Sequence, residues 1–381
     1  MRHIGFYNSG DAVQTAINDK ELGKPYVVYL NDEHRLDWNS KNIDYAGMPL
    51  TFEIISGGTI TWKATDGEVL KTISYSKDNG LNWTDITSTK AGTSFSVAAG
   101  DKVLFKGENT TYAANVNKYN GFSGSTAVYN VYGNIMSLVG GDNFSGLTTL
   151  ENSYVFCSLF RATKVNDASS LVLPATALAN YCYDSMFRDC TSLVNAPELP
   201  ATALANYCYD TMFWGCTSLV NAPTLPATTL AQYCYAGMFR DCTSLVNAPE
   251  LPATALIQEC YRGMFWGCTS LVNAPELPAT TLAQECYAGM FRDCTSLVNA
   301  PTLPATTLAN YCYSGMFGGC TSLNYIKCLA TYISASDYTY LWLSRVSSQG
   351  TFVKHPNNTT WTTGESGIPA GWTVEDAVIA E

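Results

Sequence analysis

One slot in a repeated segment alternates between a cation beside an acid and an aromatic beside a glycine: Arg188-Asp189, Trp214-Gly215, Arg240-Asp241, Trp266-Gly267, Arg292-Asp293 and Gly318-Gly319. Indole faces flanked by guanidinium donors and carboxylate acceptors are the groups that carbohydrate recognition requires, so Trp214 and Trp266 are candidate sugar platforms. Arg188, Arg240, Arg292, Asp189, Asp241 and Asp293 are the polar groups expected around them. The competing explanation is drift of exposed positions after duplication in two-repeat blocks. Two more slots vary: Asn180-Tyr181, Asn206-Tyr207, Gln232-Tyr233, Gln258-Glu259, Gln284-Glu285 and Asn310-Tyr311, then Asp184, Asp210, Ala236, Arg262, Ala288 and Ser314.

Cysteine offers other chemistry. Fourteen are present, none in the first 156 residues, and twelve fall in two columns, 182, 208, 234, 260, 286, 312 and 190, 216, 242, 268, 294, 320. Cys-x7-Cys is not a metal-knuckle spacing, and no histidine lies between His34 and His355, so no metal, cofactor or catalytic residue is assigned. Columns locked to a repeat predict buried, reduced thiols acting as small hydrophobes. His3, His34 and His355 have no nucleophile or carboxylate at a useful spacing.

The element that must position these slots is a 26-residue unit copied six times over residues 181–320. A period of that length predicts a stacked solenoid, because one coil cannot bury its apolar face alone. Within a unit, Leu245, Ala248 and Leu251 are expected to point inward from a short strand and turn, facing Leu230, Cys234, Met238, Phe239 and Cys242. Residues 154–161 read as a degenerate first copy that caps the array.

Upstream, β-rich runs at 50–55, 59–64, 72–76, 93–97 and 102–105 alternate with turn signals, the pattern of a β-sandwich over 46–115. Residues 116–153 read as a connector with a strand at 127–132 that begins to roof the solenoid, and 328–381 as a β-rich C-terminal cap. Residues 1–45 form a small segment with a short helix expected near 11–17 and a strand at 26–30. Phe6, Tyr7, Tyr26, Tyr29 and Trp38, together with Tyr45, are its candidate anchoring aromatics. The fold class expected is mainly β: small N-terminal anchor, β-sandwich, leucine-rich-repeat solenoid over 154–327 and β-rich cap.

The formal net charge of −11, with no lysine between Lys164 and Lys327, argues against nucleic acid. No run approaches the ~20 apolar residues of a membrane span, and the first residues lack the apolar stretch of an export signal.

The unit Met-Phe-x-x-Cys-Thr-Ser-Leu-Val-Asn-Ala-Pro-x-Leu-Pro resembles the BspA type of leucine-rich repeat. The tail motifs beginning Gly350-Thr351-Phe352 and Gly367-Ile368-Pro369 are similar to segments that accompany such repeats in proteins of Bacteroides and their phages. Residues 25–30 and 36–39 look like the particle-attachment segment of head-fibre proteins in crAss-like phages. The resemblance implies a non-enzymatic virion fibre, head fibre before tail fibre, made in the host cytoplasm and carried on the particle exterior. It implies capsid or other virion proteins as N-terminal partners, a homo-oligomer (dimer or trimer), and a distal solenoid touching host-surface or mucus glycans or proteins. A bacterial surface adhesin is the alternative. A glycan-cleaving enzyme comes third, since Ser76-Lys77-Asp78-Asn79-Gly80-Leu81-Asn82-Trp83 resembles the Asp-box of sialidases, a structural hairpin even there.

Overall fold

The computed structural model describes residues 44–333 and 337–379. The anchoring aromatics Phe6, Tyr7, Tyr26, Tyr29 and Trp38, the helix and strand expected at 11–17 and 26–30, and His3 and His34 lie outside the described residues.

The described chain is mainly β, with several open sheets. Strands β1 (Leu50–Ser56), β2 (Gly58–Ala64), β3 (Thr72–Ser76), β5 (Thr93–Val97) and β6 (Lys102–Lys106) coincide with the β-rich runs of the sequence. Period-two alternation explains them: Ile73, Val103 and Phe105 point inward while their neighbours meet water. Strands β4 (Thr84–Thr87), β7 (Ala113–Asn115), β8 (Lys118–Gly121), β9 (Val128–Asn134) and β10 (Ser170–Val172) complete two sheets, ordered β10-β9-β1-β6-β3-β4 and β5-β2-β8-β7. Phe52 and Phe105 of the first sheet and Trp62 of the second meet around Phe122, with ring centroids 4.8, 5.1 and 5.0 Å from it.

The strand expected at 127–132 is part of this sheet. β9 pairs antiparallel with β1 and parallel with β10, which lies between the degenerate first copy and the first full unit. The pairing thus changes from antiparallel to parallel where the repeats begin. The core does not break there: Phe160 lies 5.7 Å from Phe122 and 5.1 Å from Phe187, and successive Phe and Tyr rings stack on through the units.

Successive units are joined by one backbone rule. In the segment opening each unit, alternate N–H groups bond to the next unit (Tyr183 to Cys208, Ser185 to Asp210, Phe187 to Met212). Those between them close three-residue turns (Met186 to Tyr183, Arg188 to Ser185). Such a path needs a left-handed residue every fourth position, seen at Tyr181, Ser185 and Asp189 and at their equivalents in later units. The short strand expected within each unit does not form. Parallel pairing there shrinks to single bridges such as Asn195 to Asn221 and Asn221 to Asn247, because the flanking prolines supply no N–H to extend a ladder. The inward residues are as expected, with Leu245, Leu251, Met238 and Phe239 buried and Ala248 half-buried.

All fourteen cysteines are free and buried. In the second column each thiol donates to the phenylalanine carbonyl of the preceding unit, as Cys242 does to Phe213 at 3.1 Å. Burial raises their pKa values, to about 11 at Cys190 and about 12 at Cys286 and Cys320, holding them as thiols.

After Cys320 the sequence period fails but the backbone continues it once more: Gly315, Phe317 and Gly319 donate to Tyr340, Trp342 and Ser344, and Leu341 and Arg345 are left-handed. Strands β11 (Tyr325–Cys328), β12 (Thr351–Lys354) and β13 (Thr373–Asp376) then form a parallel sheet at the far end. No helix among the described residues is long and apolar enough to cross a membrane.

Candidate functional site

The three left-handed positions carry the unit across one face, and the residues on and beside them line a groove of about 600 Å³ along the stack. Its bed is made of small residues, among them Ala236, Gly237, Gly263, Ala288, Gly289 and Gly315. Gly289 and Gly315 have positive φ, and nothing lies within 4 Å of a Cβ built on either, so the space above them is open. One wall is the tyrosine slot and the other the arginine–tryptophan slot.

The Arg/Trp wall is a ladder. The guanidinium carbons of Arg188 and Arg240 lie 3.6 and 4.5 Å from the Trp214 ring centroid, and those of Arg240 and Arg292 lie 4.0 and 4.7 Å from that of Trp266. Each indole therefore sits between guanidiniums from the units before and after it. A sugar lying flat on either indole would have to displace an arginine, which takes the platform role away from Trp214 and Trp266. Their N–H groups are used too: Trp214 Nε1 donates to Asp241 Oδ2 at 2.9 Å and Trp266 Nε1 to Asp293 Oδ2 at 3.1 Å.

The alternation has a packing cause. The second residue of the slot is left-handed in every unit, a conformation that glycine and aspartate tolerate. A Cβ on Gly215 would lie 2.7 Å from Asp189 Oδ1, and one on Gly267 or Gly319 would collide with Asp241 or Asp293. An aspartate on one unit thus crowds any Cβ on the next, which gives the glycine that follows it a packing rationale. The structure brings all eight predicted residues onto one face. Trp214, Trp266, Arg240 and Arg292 line the groove, while Arg188, Asp189, Asp241 and Asp293 stand behind or beyond it.

The opposite wall supplies what the sequence reading did not single out. Tyr154, Tyr181, Tyr207 and Tyr233 stack face to face at 4.4–4.6 Å. The next two units replace tyrosine by Glu259 and Glu285, and Tyr311 resumes. Glu259 is 3% exposed and is held by Arg262 at 2.7 Å, by Gln258 and by the Tyr233 hydroxyl. Burial works against the Arg262 charge, but the hydrogen bond and charge of Glu259 outweigh it and raise its pKa. Without tyrosine neighbours on the N-terminal side, Tyr311 is 42% exposed, and Tyr340, in the unit that the sequence does not announce, is 53% exposed. Both line the groove. They are the accessible aromatic faces; Tyr311 was visible as a varying slot, whereas Tyr340 carries no repeat signature.

The third varying slot begins with Asp184 and Asp210 on adjacent units. Burial raises Asp184 to about 7, and burial together with the Asp184 charge raises Asp210 to about 8.

The Asp-box-like hairpin is a turn. Asp78 Oδ1 accepts from Ser76 Oγ at 2.8 Å and from Asn82 N at 2.9 Å, Asp78 Oδ2 accepts from Asn82 Nδ2 at 2.6 Å, and these bonds lower its pKa to about 2. Lys106 lies over the Trp83 ring at 4.4 Å. His355 Nδ1 accepts from Asn357 N, another local turn. Among the described residues no group of three or more His, Cys, Asp or Glu is arranged to hold a metal ion.

No family model, no curated protein and no solved structure matches this chain.

Proposed function

We propose that this chain is a non-enzymatic binding protein, a BspA-type leucine-rich-repeat solenoid that holds an extended glycan along its groove. The observation that carries the reading is the groove itself: about 600 Å³, open, floored by small residues over several units and ending beside Tyr311 and Tyr340. An open trough of this shape suits a linear chain better than a compact metabolite, and exposed aromatic rings beside charged side chains suit sugars. The one catalytic-looking motif has its carboxylate committed to a turn, which favours binding over hydrolysis.

The biological setting rests on the sequence resemblance: a virion fibre, head fibre before tail fibre, on the exterior of a Bacteroides phage, made in the host cytoplasm. Its first 45 residues attach it to capsid or other virion proteins as a homo-oligomer, and its groove meets host-surface or mucus glycans. The test is a glycan-array screen of the purified chain beside Tyr311→Ala and Tyr340→Ala. Binding that falls about tenfold in both variants at unchanged melting temperature supports the reading; binding indifferent to both removes it.

A further inference from the structure

We propose that the groove selects an acidic linear polysaccharide bearing one anionic group per disaccharide, read by Arg240 and Arg292. This rests on the glycan-binding reading and narrows it.

The Arg-Asp and Trp-Gly units alternate, so a guanidinium stands on every second unit. Stacking between indoles fixes the plane of Arg240 and leaves only its edge for hydrogen bonding. Arg240 Nε is buried, 3.6 Å from Asp241 Oδ2, so the edge left to the groove is that of its two Nη groups, on a side chain that is 32% exposed. Asp241 Oδ2 also accepts the Trp214 N–H, which fixes the carboxylate beside the guanidinium. Arg292 stacks on Trp266 alone and is more open, 44% exposed; Asp293 is 3.8 Å away and is shared with Trp266 and Arg345.

Arg262 is satisfied by Glu259 at 2.7 Å and stands 3.9 Å from Glu285. Asp210, raised to about 8, is largely protonated at neutral pH. Guanidinium edges held in a plane suit carboxylate or sulfate oxygens, which they bind in paired fashion. The overall charge of −11 repels any polyanion at long range, so a sparsely charged chain is favoured over a densely charged one such as nucleic acid.

The experiment titrates the full chain with hyaluronan oligosaccharides, which alternate a uronic acid with a neutral sugar, and with the same oligosaccharides after carboxyl reduction. The acidic form is expected to bind about tenfold tighter than the reduced form. Arg240→Gln and Arg292→Gln should each remove most of that preference. Arg292 stands at the exposed end of the ladder, so R292Q tests the idea if R240Q fails to fold. Equal affinity for the two forms, or a preference that survives R292Q, overturns the proposal. If the reduced form binds and Tyr311→Ala abolishes that binding, the glycan-binding reading stands and only the acidic selectivity falls. If neither form nor any array glycan binds, both fall.

Discussion

Asp184 is the place where a small chemical change should have a large, signed effect. It is 2% exposed, and burial raises its pKa from 3.8 to about 7. A raised folded-state value means that the folded protein keeps a proton that the unfolded chain releases, so the associated stability is fully present below about pH 4 and lost as pH climbs through about 7. Three units at about 1.4 kcal/mol each put the loss at about 4 kcal/mol by pH 8. Asp210, on the adjacent unit, titrates in the same direction, and the two share their mutual repulsion, so the double variant should gain less than the sum. Asp184→Asn stays neutral at every pH and keeps a hydrogen-bonding head of the same shape. Thermal melts of wild type and D184N should nearly coincide at about pH 4 and separate steadily, the variant melting about 8 °C higher at pH 8 if each kcal/mol is worth roughly 2 °C. Taking the difference between the two proteins removes the titration of all other acids. A difference that does not grow between about pH 4.5 and 8.5, or that grows with the opposite sign, would refute the reasoning.

Three further outcomes follow from the same geometry. Cys242→Ala removes both a buried sulfur and its hydrogen bond to the Phe213 carbonyl and should cost about 1–3 kcal/mol in denaturant unfolding, more than an exposed change such as Thr228→Ala in the same unit. Brief alkylation of the native protein should modify almost none of the fourteen buried thiols, with all fourteen reacting after unfolding, as read by intact mass. Asp78→Ala removes three hydrogen bonds from the β3–β4 turn and should speed amide exchange in that hairpin while leaving the repeats' protection unchanged.

Much of the architecture is legible in the chain because it repeats. Copying makes inward positions visible, and Cys234, Met238, Phe239, Cys242 and Leu245 are all buried as their recurrence suggests. The antiparallel strands were readable for the same kind of reason, period-two alternation between turn residues. The connecting backbone was not, because a tyrosine at Tyr181 or a glutamate at Glu259 gives no sign of a left-handed conformation. The unit containing Trp342 was hidden as well: it keeps the hydrogen bonds and the two left-handed positions, Leu341 and Arg345, but none of the cysteine or Met-Phe markers.

The Arg-Asp/Trp-Gly slot shows what spacing alone leaves out. Spacing alone makes Trp214 and Trp266 look like platforms, because a one-dimensional list cannot show that units 26 residues apart place guanidiniums on both faces of each ring. Yet part of the signal for that packing was present: aspartate and glycine are residue types that accept positive φ, and each aspartate of the slot is followed one unit later by a glycine, where a Cβ would crowd it. Once the glycines have a packing rationale, sequence variation there no longer points to a ligand, and the functional weight shifts to groups that packing leaves unused. Those are the rings of Tyr311 and Tyr340 and the groove-side ends of Arg240 and Arg292, whose planes rest on indoles while their Nε atoms lie 3.6 and 3.8 Å from Asp241 and Asp293. Stacking orders the guanidiniums before any ligand arrives, so a chain that lay along the tyrosines would meet donors already oriented and would spend less entropy in fixing them.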